Sequence, residues 1–337
     1  MILVTGATGL LGSHVVFDLI KKGHRVKAMY RNEEKQQVIH HLLHYYQVED
    51  ADKLFDLIEW FKGDILDLQD VANAVKNCKS VIHCAGMVSF ASRDFNKLID
   101  VNRNGTANMV NEALSSGIDH FLHVSSTSAV GSDSAFTDNV KRESNHWHAN
   151  EKASGYGVSK YSAEKEVWRG IEEGLTAVIV NPSVFFGPGS WSESSLQLYQ
   201  TIKNGLSFFT AGGNAFVDVR DVSEIICRLH ERRIANERYL VTGHALLFKD
   251  VIDQIADQMG VKKPRYKVGE FATAIALRLI GIYSFLTGKQ PSITKDTARS
   301  SHEVTVYSSE KIKTLFPDFE FTPVTATIAN TIKGKMN

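Results

Sequence analysis

Ile2-Leu3-Val4-Thr5-Gly6-Ala7-Thr8-Gly9-Leu10-Leu11-Gly12 opens the chain, and its reading decides the fold. Four residues of strand character run into a glycine turn, and an apolar helical pattern, Leu11–Lys22, follows at once. Each glycine then has a task. Gly6 permits the tight turn, Gly9 lets the main chain approach a diphosphate, and Gly12 lets the helix close on the strand. Thr8, Leu10 and Leu11 complete the loop as candidate contacts. An anionic ligand would rest against the unpaired amides of the helix start. The spacing is G-x-x-G-x-x-G rather than G-x-G-x-x-G, so its weight comes from the strand before it and the helix behind it.

Outward from this unit, short β-rich runs alternate with amphipathic segments. The runs are Ile2–Thr5, Arg25–Tyr30, Leu57–Lys62, Ser80–Cys84, His120–Val124 and Ala177–Asn181. Leu11–Lys22, Lys97–Leu114 and Tyr156–Glu173 carry helical periodicity between them, and the long stretch Glu33–Asp56 leaves room for extra helix. Continuous apolar strands separated by helices predict a parallel sheet covered on both faces. After Pro182 the rhythm breaks at Gly187-Pro188-Gly189-Ser190. A strand at Ala215–Val219 and a helix at Asp221–Arg233 are expected to return to the sheet, with Arg238–Thr242 behind them. From Phe248 the pattern is mostly helical, ending at Thr322–Lys333. The fold class is therefore α/β: a Rossmann-type doubly wound parallel sheet with a smaller, mostly helical C-terminal substrate-binding domain. Residues 1–181 and 215–247 form the dinucleotide-binding domain, and 182–214 with 248–337 form the substrate-binding domain.

Charge and composition narrow the function. The 337 residues carry 38 basic and 38 acidic side chains, 43 % hydrophobic and 23 % charged residues, which is ordinary globular composition. A zero net charge gives no phosphate-tracking surface, so nucleic acid is not an expected partner. Three scattered cysteines, Cys78, Cys84 and Cys227, form no disulfide framework and fit a reducing cytoplasm. The opening residues have no basic and apolar leader, so a secretory signal is not expected. Phe271–Gly288 is short for a membrane span and contains Arg278, so no integral span is expected. His40, His41 and His44, like His146 and His148, lack a completing carboxylate or cysteine, and no metal site is expected.

At the end of the second strand the chain reads Tyr30-Arg31-Asn32, where a site for NAD usually has a carboxylate. Arg31 stands 19 residues beyond Gly12, where a guanidinium would pair with a 2′-phosphate. This favours NADP and leaves NAD as the alternative. Asp64 and Ile65 follow the third strand and are candidates for the adenine. Further on, Tyr156 and Lys160 stand four residues apart and share one helix face. A neighbouring cation favours the phenolate, which would bring a tyrosine toward the working range for proton transfer.

Taken with the glycine turn, these residues resemble the short-chain dehydrogenase/reductase superfamily in its extended branch, the NAD-dependent epimerase/dehydratase type, over essentially the whole chain. Further matches are His83-Cys84-Ala85-Gly86, Val101-Asn102-Arg103-Asn104-Gly105-Thr106, Ser125-Ser126-Thr127, Asn181-Pro182-Ser183 and Phe216-Val217-Asp218-Val219-Arg220-Asp221. The resemblance implies that Tyr156 donates or accepts the proton while Lys160 tunes it and binds the nicotinamide ribose. It implies that Thr127, flanked by Ser126 and Ser128, orients the substrate carbonyl. Asn102 would support a water relay to the lysine. Cys84, Ala85, Gly86, Pro182 and Ser183 would border the cofactor. A homodimer through the helices that hold Asn102 and Tyr156 is also implied.

Within this branch the pattern is closest to dihydroflavonol reductase and 3-beta-hydroxysteroid dehydrogenase-like members. Dehydratases usually have Asp-Glu after the catalytic hydroxyl, where this chain has Ser128-Ala129. Asn214 stands where sugar-nucleotide enzymes often carry a diphosphate-clamping arginine, and Val184 replaces a common asparagine ligand. Asn181 does match an asparagine of some epimerases. Three readings follow: an NADP-dependent reductase of a small carbonyl substrate, an NAD-dependent sugar-nucleotide epimerase, and a non-catalytic nucleotide sensor. The substrate candidates, Val88, Thr127, Val184, Phe185 and Trp191, suit an apolar molecule.

Overall fold

The computed structural model describes residues 1–132, 140–148, 153–273 and 294–336. Seven strands form one parallel sheet: β1 (Ile2–Thr5), β2 (Val26–Tyr30), β3 (Ile58–Lys62), β4 (Ser80–His83), β5 (His120–Val124), β6 (Ala177–Pro182) and β7 (Glu237–Val241). Their order across the sheet is β7-β6-β5-β4-β1-β2-β3. The order reverses at β1, where the crevice of a doubly wound sheet opens at the strands' carboxyl ends.

Strand alternation feeds two layers. Val4, Leu122, Val178 and Val180 face a core shared with helices Leu10–Lys21 and Val219–Glu231. Leu3, Phe121, Ala177 and Ile179 face the other way, into a core shared with Gly105–Ser115 and Gly155–Glu172. Both faces are dry, which explains why the strands read as unbroken apolar runs. Glu33–Asp56 holds the extra helix its length called for, Gln37–Tyr45 followed by Ala51–Phe55.

One strand goes elsewhere than its sequence implied. Gly213–Asp218 does not return to the main sheet, whose outer place beside β6 is taken by β7. It forms a second sheet, parallel to Val184–Phe186 and antiparallel to His244–Leu247. The helix after it does pack on Leu10–Lys21, and Ser223 donates to Asp18 across that contact at 2.5 Å. Phe216 instead enters a third core with Phe186, Tyr199, Ile255 and Ile328, over the carboxyl end of the sheet. Of the apolar stretch Phe271–Gly288, only Phe271 to Thr273 lie among the described residues. No helix of the described residues is long and apolar enough to cross a membrane.

Two histidines sit face to face in register on β4 and β5, His83 and His123, with ring centroids 5.4 Å apart. His83 bonds through one nitrogen to Thr5 (2.7 Å) and through the other to Thr106 (3.1 Å). His123 has no hydrogen-bond partner among the described residues. Burial holds His83 down to about 3 and His123 well below the ordinary histidine range. Each is therefore neutral when folded but protonates near pH 6.5 when unfolded, so stability is lost as pH falls below that value. Removing one such histidine should abolish about 2 kcal/mol of the loss between pH 7 and pH 5. His123→Leu is expected to narrow the gap between urea-unfolding free energies at those two pH values by that amount. An unchanged gap would mean that His123 is not buried neutral.

Candidate active site

The glycine turn is built by close approach. Gly6 has φ +65, and a Cβ there would stand 2.7 Å from the Ala85 amide nitrogen. On Gly12 a Cβ would stand 2.1 Å from the Gly6 carbonyl oxygen, so the helix can seat on the turn only with glycine there. Gly9 caps the helix without a side chain, and the first turn carries no acidic residue. The first amides of a helix have no intrahelical acceptor. Together with the dipole, they fit a diphosphate.

A groove of about 540 Å³ runs from this turn along the strand ends. Gly6, Thr8, Gly9, Arg31 and Ile65 line it, as do Cys84, Ala85 and Gly86. The Leu10 and Leu11 side chains pack inward, Leu11 into the first core and Leu10 between the first and third, which leaves only their amides to face a ligand at the helix start. Asp64 stays out of the groove lining: its carboxylate accepts from the Leu66 amide (3.0 Å) and shapes the turn. Pro182 and Ser183 lie buried at the end of β6, away from the groove wall. Sequence reading missed Met29, Tyr30, Asn32, Lys35, Gly63 and Val101. Arg31 is 68 % exposed in its side chain and forms a loose ion pair with Asp64 at 4.0 Å. Lys35 shares the groove end and pairs with Glu193. The groove lining fits a nicotinamide dinucleotide.

Helix Gly155–Glu172 carries Tyr156 and Lys160, both buried, on one face. The ammonium donates to the Val124 carbonyl at 2.9 Å and would lie 3.2 Å from a Cβ on Gly86. Lys160 thus reaches the groove wall without lining it. Asn102 lies in a π-helical turn, Ile99–Asn104, which interrupts a longer helix. Such turns are frequent at functional sites. Its side chain accepts from the Met87 amide (2.7 Å) and donates to the Met87 carbonyl (3.0 Å) and Ser159 hydroxyl (2.8 Å). Its own carbonyl accepts from Thr106 at 2.5 Å. Asn102 therefore ties the loop after β4 to the catalytic helix.

Ser126 is the hydroxyl that stands beside the Tyr156 phenol, and Thr127 the one beside Tyr307. Burial pushes the phenol up to about 12, with the Ser126 hydroxyl opposing. The lysine is pushed down to about 8 by burial, against the pull of the Glu164 carboxylate. The tyrosine is thus not drawn down as its spacing from the lysine implied. Desolvation dominates, and one of the three ammonium protons of Lys160 goes to Val124.

Phe90 meets the Tyr156 ring edge-on at 5.7 Å. With Val88 and Phe95 it stays exposed although large and apolar. Val184 packs on the third core and Phe185 on the first. Trp191 is buried in the third core, 5.5 Å from the Tyr199 ring. Asn181 is fully buried and donates to the Ser126 carbonyl (2.8 Å) and to Glu164 (2.5 Å). Asn214 bonds to the amide of its own neighbour, Ala215 (2.8 Å). A second recess, about 700 Å³, opens behind the catalytic helix near Trp147, Tyr161 and Arg238, and shares no residue with the groove.

Known proteins share this arrangement. The chain is 28 % identical over 270 residues to "Sterol demethylase protein B" of Methylococcus capsulatus, covering 79 % of this chain and 76 % of that one. It is 24 % identical over 315 residues to a "Putative dihydroflavonol 4-reductase" of Synechocystis, covering 91 % and 87 %. Among solved structures, that of gox2253 superposes with a TM-score of 0.79 at 26 % identity, covering 98 % and 96 %. The model of the NAD dependent epimerase/dehydratase family matches residues 2–242. With the glycine turn, the buried tyrosine–lysine pair and this match in agreement, the chain belongs to that family, and it is an NAD(P)-dependent enzyme of the extended short-chain dehydrogenase/reductase type.

Proposed function

We propose that this enzyme is an NADP-dependent reductase of an apolar aldehyde or ketone, in which Tyr156 delivers the proton. The observation that carries the reading is the apolar mouth beside a protonated phenol: exposed Phe90 meets the Tyr156 ring edge-on, and exposed Phe95 stands beside Gly155 at the start of the same helix. Exposed apolar side chains gathered at a site mark an apolar ligand. A phenol held up to about 12 keeps its proton at neutral pH, as a donor in the reducing direction requires. The relatives named as a dihydroflavonol reductase and a sterol-demethylase protein support a dihydroflavonol- or steroid-like substrate.

The bound nicotinamide supplies the hydride. Everything else falls to the protein. Ser126 stands beside the phenol on one side, and a substrate carbonyl oxygen on the other would complete its hydrogen bonds. Lys160, a cation whose own proton is loosened by burial, stabilises the charge left on Tyr156 once the proton has gone. Thr127 remains the second hydroxyl within this turn, available to the carbonyl if the Tyr307 phenol moves aside. At the far end Arg31 and Lys35 would hold the 2′-phosphate. The epimerase alternative rests on Asn181 and the shared scaffold; the scaffold supports it equally, as does a relative named UDP-glucose 4-epimerase, whereas the Asn181 amide is committed to Ser126 and Glu164.

Tyr156→Phe is expected to lower kcat by about 10²–10⁴-fold with NADPH and an apolar carbonyl. Its NADPH affinity, read by fluorescence titration, should stay within twofold of the parent; retained turnover would remove Tyr156 from the chemistry. Arg31→Ala should weaken NADPH binding by about 10–100-fold, the loss of one charge-assisted hydrogen bond. NADH binding should be unaffected. Equal losses for both cofactors would show that Arg31 does not read the 2′-phosphate.

A further inference from the structure

Glu164 lies one turn beyond Lys160 on the catalytic helix, with 1 % of its surface exposed. A carboxylate so placed needs full compensation, because an uncompensated buried charge is costly. Three neighbours from three successive segments supply it. The Ser125 hydroxyl, just after β5, donates at 2.5 Å. The Asn181 amide of β6 donates to the same oxygen at 2.5 Å, and the Arg238 guanidinium of β7 donates to the other at 3.2 Å. Two of these partners can only donate, so the arrangement accommodates the ionised form of Glu164. Arg238 is itself anchored on the Glu143 and Asn145 carbonyls.

Residues four apart on a helix share a face, so the Glu164 carboxylate stands on the Lys160 side of the helix, within electrostatic reach of the ammonium but not in direct ion-pair contact with it; burial pushes Glu164 up, and its three donors oppose that. The other groups around that ammonium offer no steady counter-charge. His83 and His123 press on it from β4 and β5, and burial keeps both neutral. Cys84 is a thiol pushed up to about 12, and Tyr156 is a protonated phenol.

We infer that Glu164 is a positioning residue for the proton-transfer pair: its carboxylate, clamped by Ser125, Asn181 and Arg238, keeps Lys160 cationic in a pocket that would otherwise neutralise it. The inference rests on the reading of Tyr156 and Lys160 as that pair. It assigns the Ser125-Asn181-Arg238 cluster to catalysis at one remove, with no contact to substrate. Loss of the carboxylate leaves the lysine with desolvation alone, so its proton leaves at lower pH. The phenol then loses the cation that stabilises its conjugate base, and the loss grows as pH rises.

The test follows Lys160 directly in the cofactor-free protein labelled with ¹³C at lysine Cε. Glu164→Gln is expected to lower the Lys160 titration midpoint by about one pH unit or more, the usual effect of removing an adjacent opposite charge. Glu164→Asp should recover most of it. Glu164→Leu, which removes the carboxylate altogether, should lower the midpoint in the same sense, and it decides the matter alone if Glu164→Gln does not fold. The high-pH limb of the kcat profile should move down with the midpoint. A midpoint unchanged in whichever variants fold, with only the melting temperature reduced, would overturn the inference and leave Glu164 a structural ion pair. Turnover retained in Tyr156→Phe would instead sink the proton-transfer reading while leaving the lysine titration intact.

Discussion

The contact on which the rest depends is the meeting of three stretches of main chain with no side chain between them. Gly12 lets the first helix rest on the Gly6 carbonyl, and Gly6 lets the end of β4 press against the turn at Ala85. Each approach is closer than any Cβ permits. The consequence reaches well past the loop. Thr5 bonds to His83, His83 to Thr106, and Thr106 to the Asn102 carbonyl, so the position of the turn is passed to the π-helical segment. Gly86 continues the same logic on the catalytic side, where Lys160 and Asn102 occupy the space a side chain would need. The glycine turn and the Tyr156–Lys160 pair are thereby held in one frame.

Inside that frame burial opposes charge at every titratable group. Tyr156 and Glu164 are pushed up and Lys160 down, and only Glu164 has three donors to offset the cost. The resting site therefore holds its proton on the tyrosine. A chain of zero net charge can still accommodate an anionic cofactor. The positive potential is local, supplied by helix amides, Arg31 and Lys35.

The sheet was legible because its strands are buried on both faces and its glycines answer to sterics within a dozen residues. Contacts set by tertiary geometry were not. Asp64 and Asn181 carry the right chemistry for ligands, yet each is turned to a local or buried partner. Neighbouring hydroxyls in Ser125-Ser126-Thr127 have different neighbours, Ser125 donating to Glu164 while Ser126 stands beside Tyr156 and Thr127 beside Tyr307, and spacing cannot separate directions within one tight turn. Lys35 was invisible for a related reason: it lies beyond the strand end, and only the fold returns it to the groove. Glu164 had a signal, one helical turn beyond Lys160, but nothing in the sequence brings Arg238 to it.

The strand Gly213–Asp218 is the most informative departure. Its apolar run predicts a buried strand, and it is one, but the sequence does not say between which layers. Val217 enters the core shared by the first helix, and Phe216 the core over the strand ends. Alternation within a single strand thus joins the two, and the following helix carries the link back to Leu10–Lys21 through Ser223 and Asp18. Glycine at 243 completes the joint, since a Cβ there would meet the Phe216 carbonyl at 2.6 Å. Separation of the two cores would expose Phe216 or Val217 to water, at a cost of about 1.5–3 kcal/mol for each side chain.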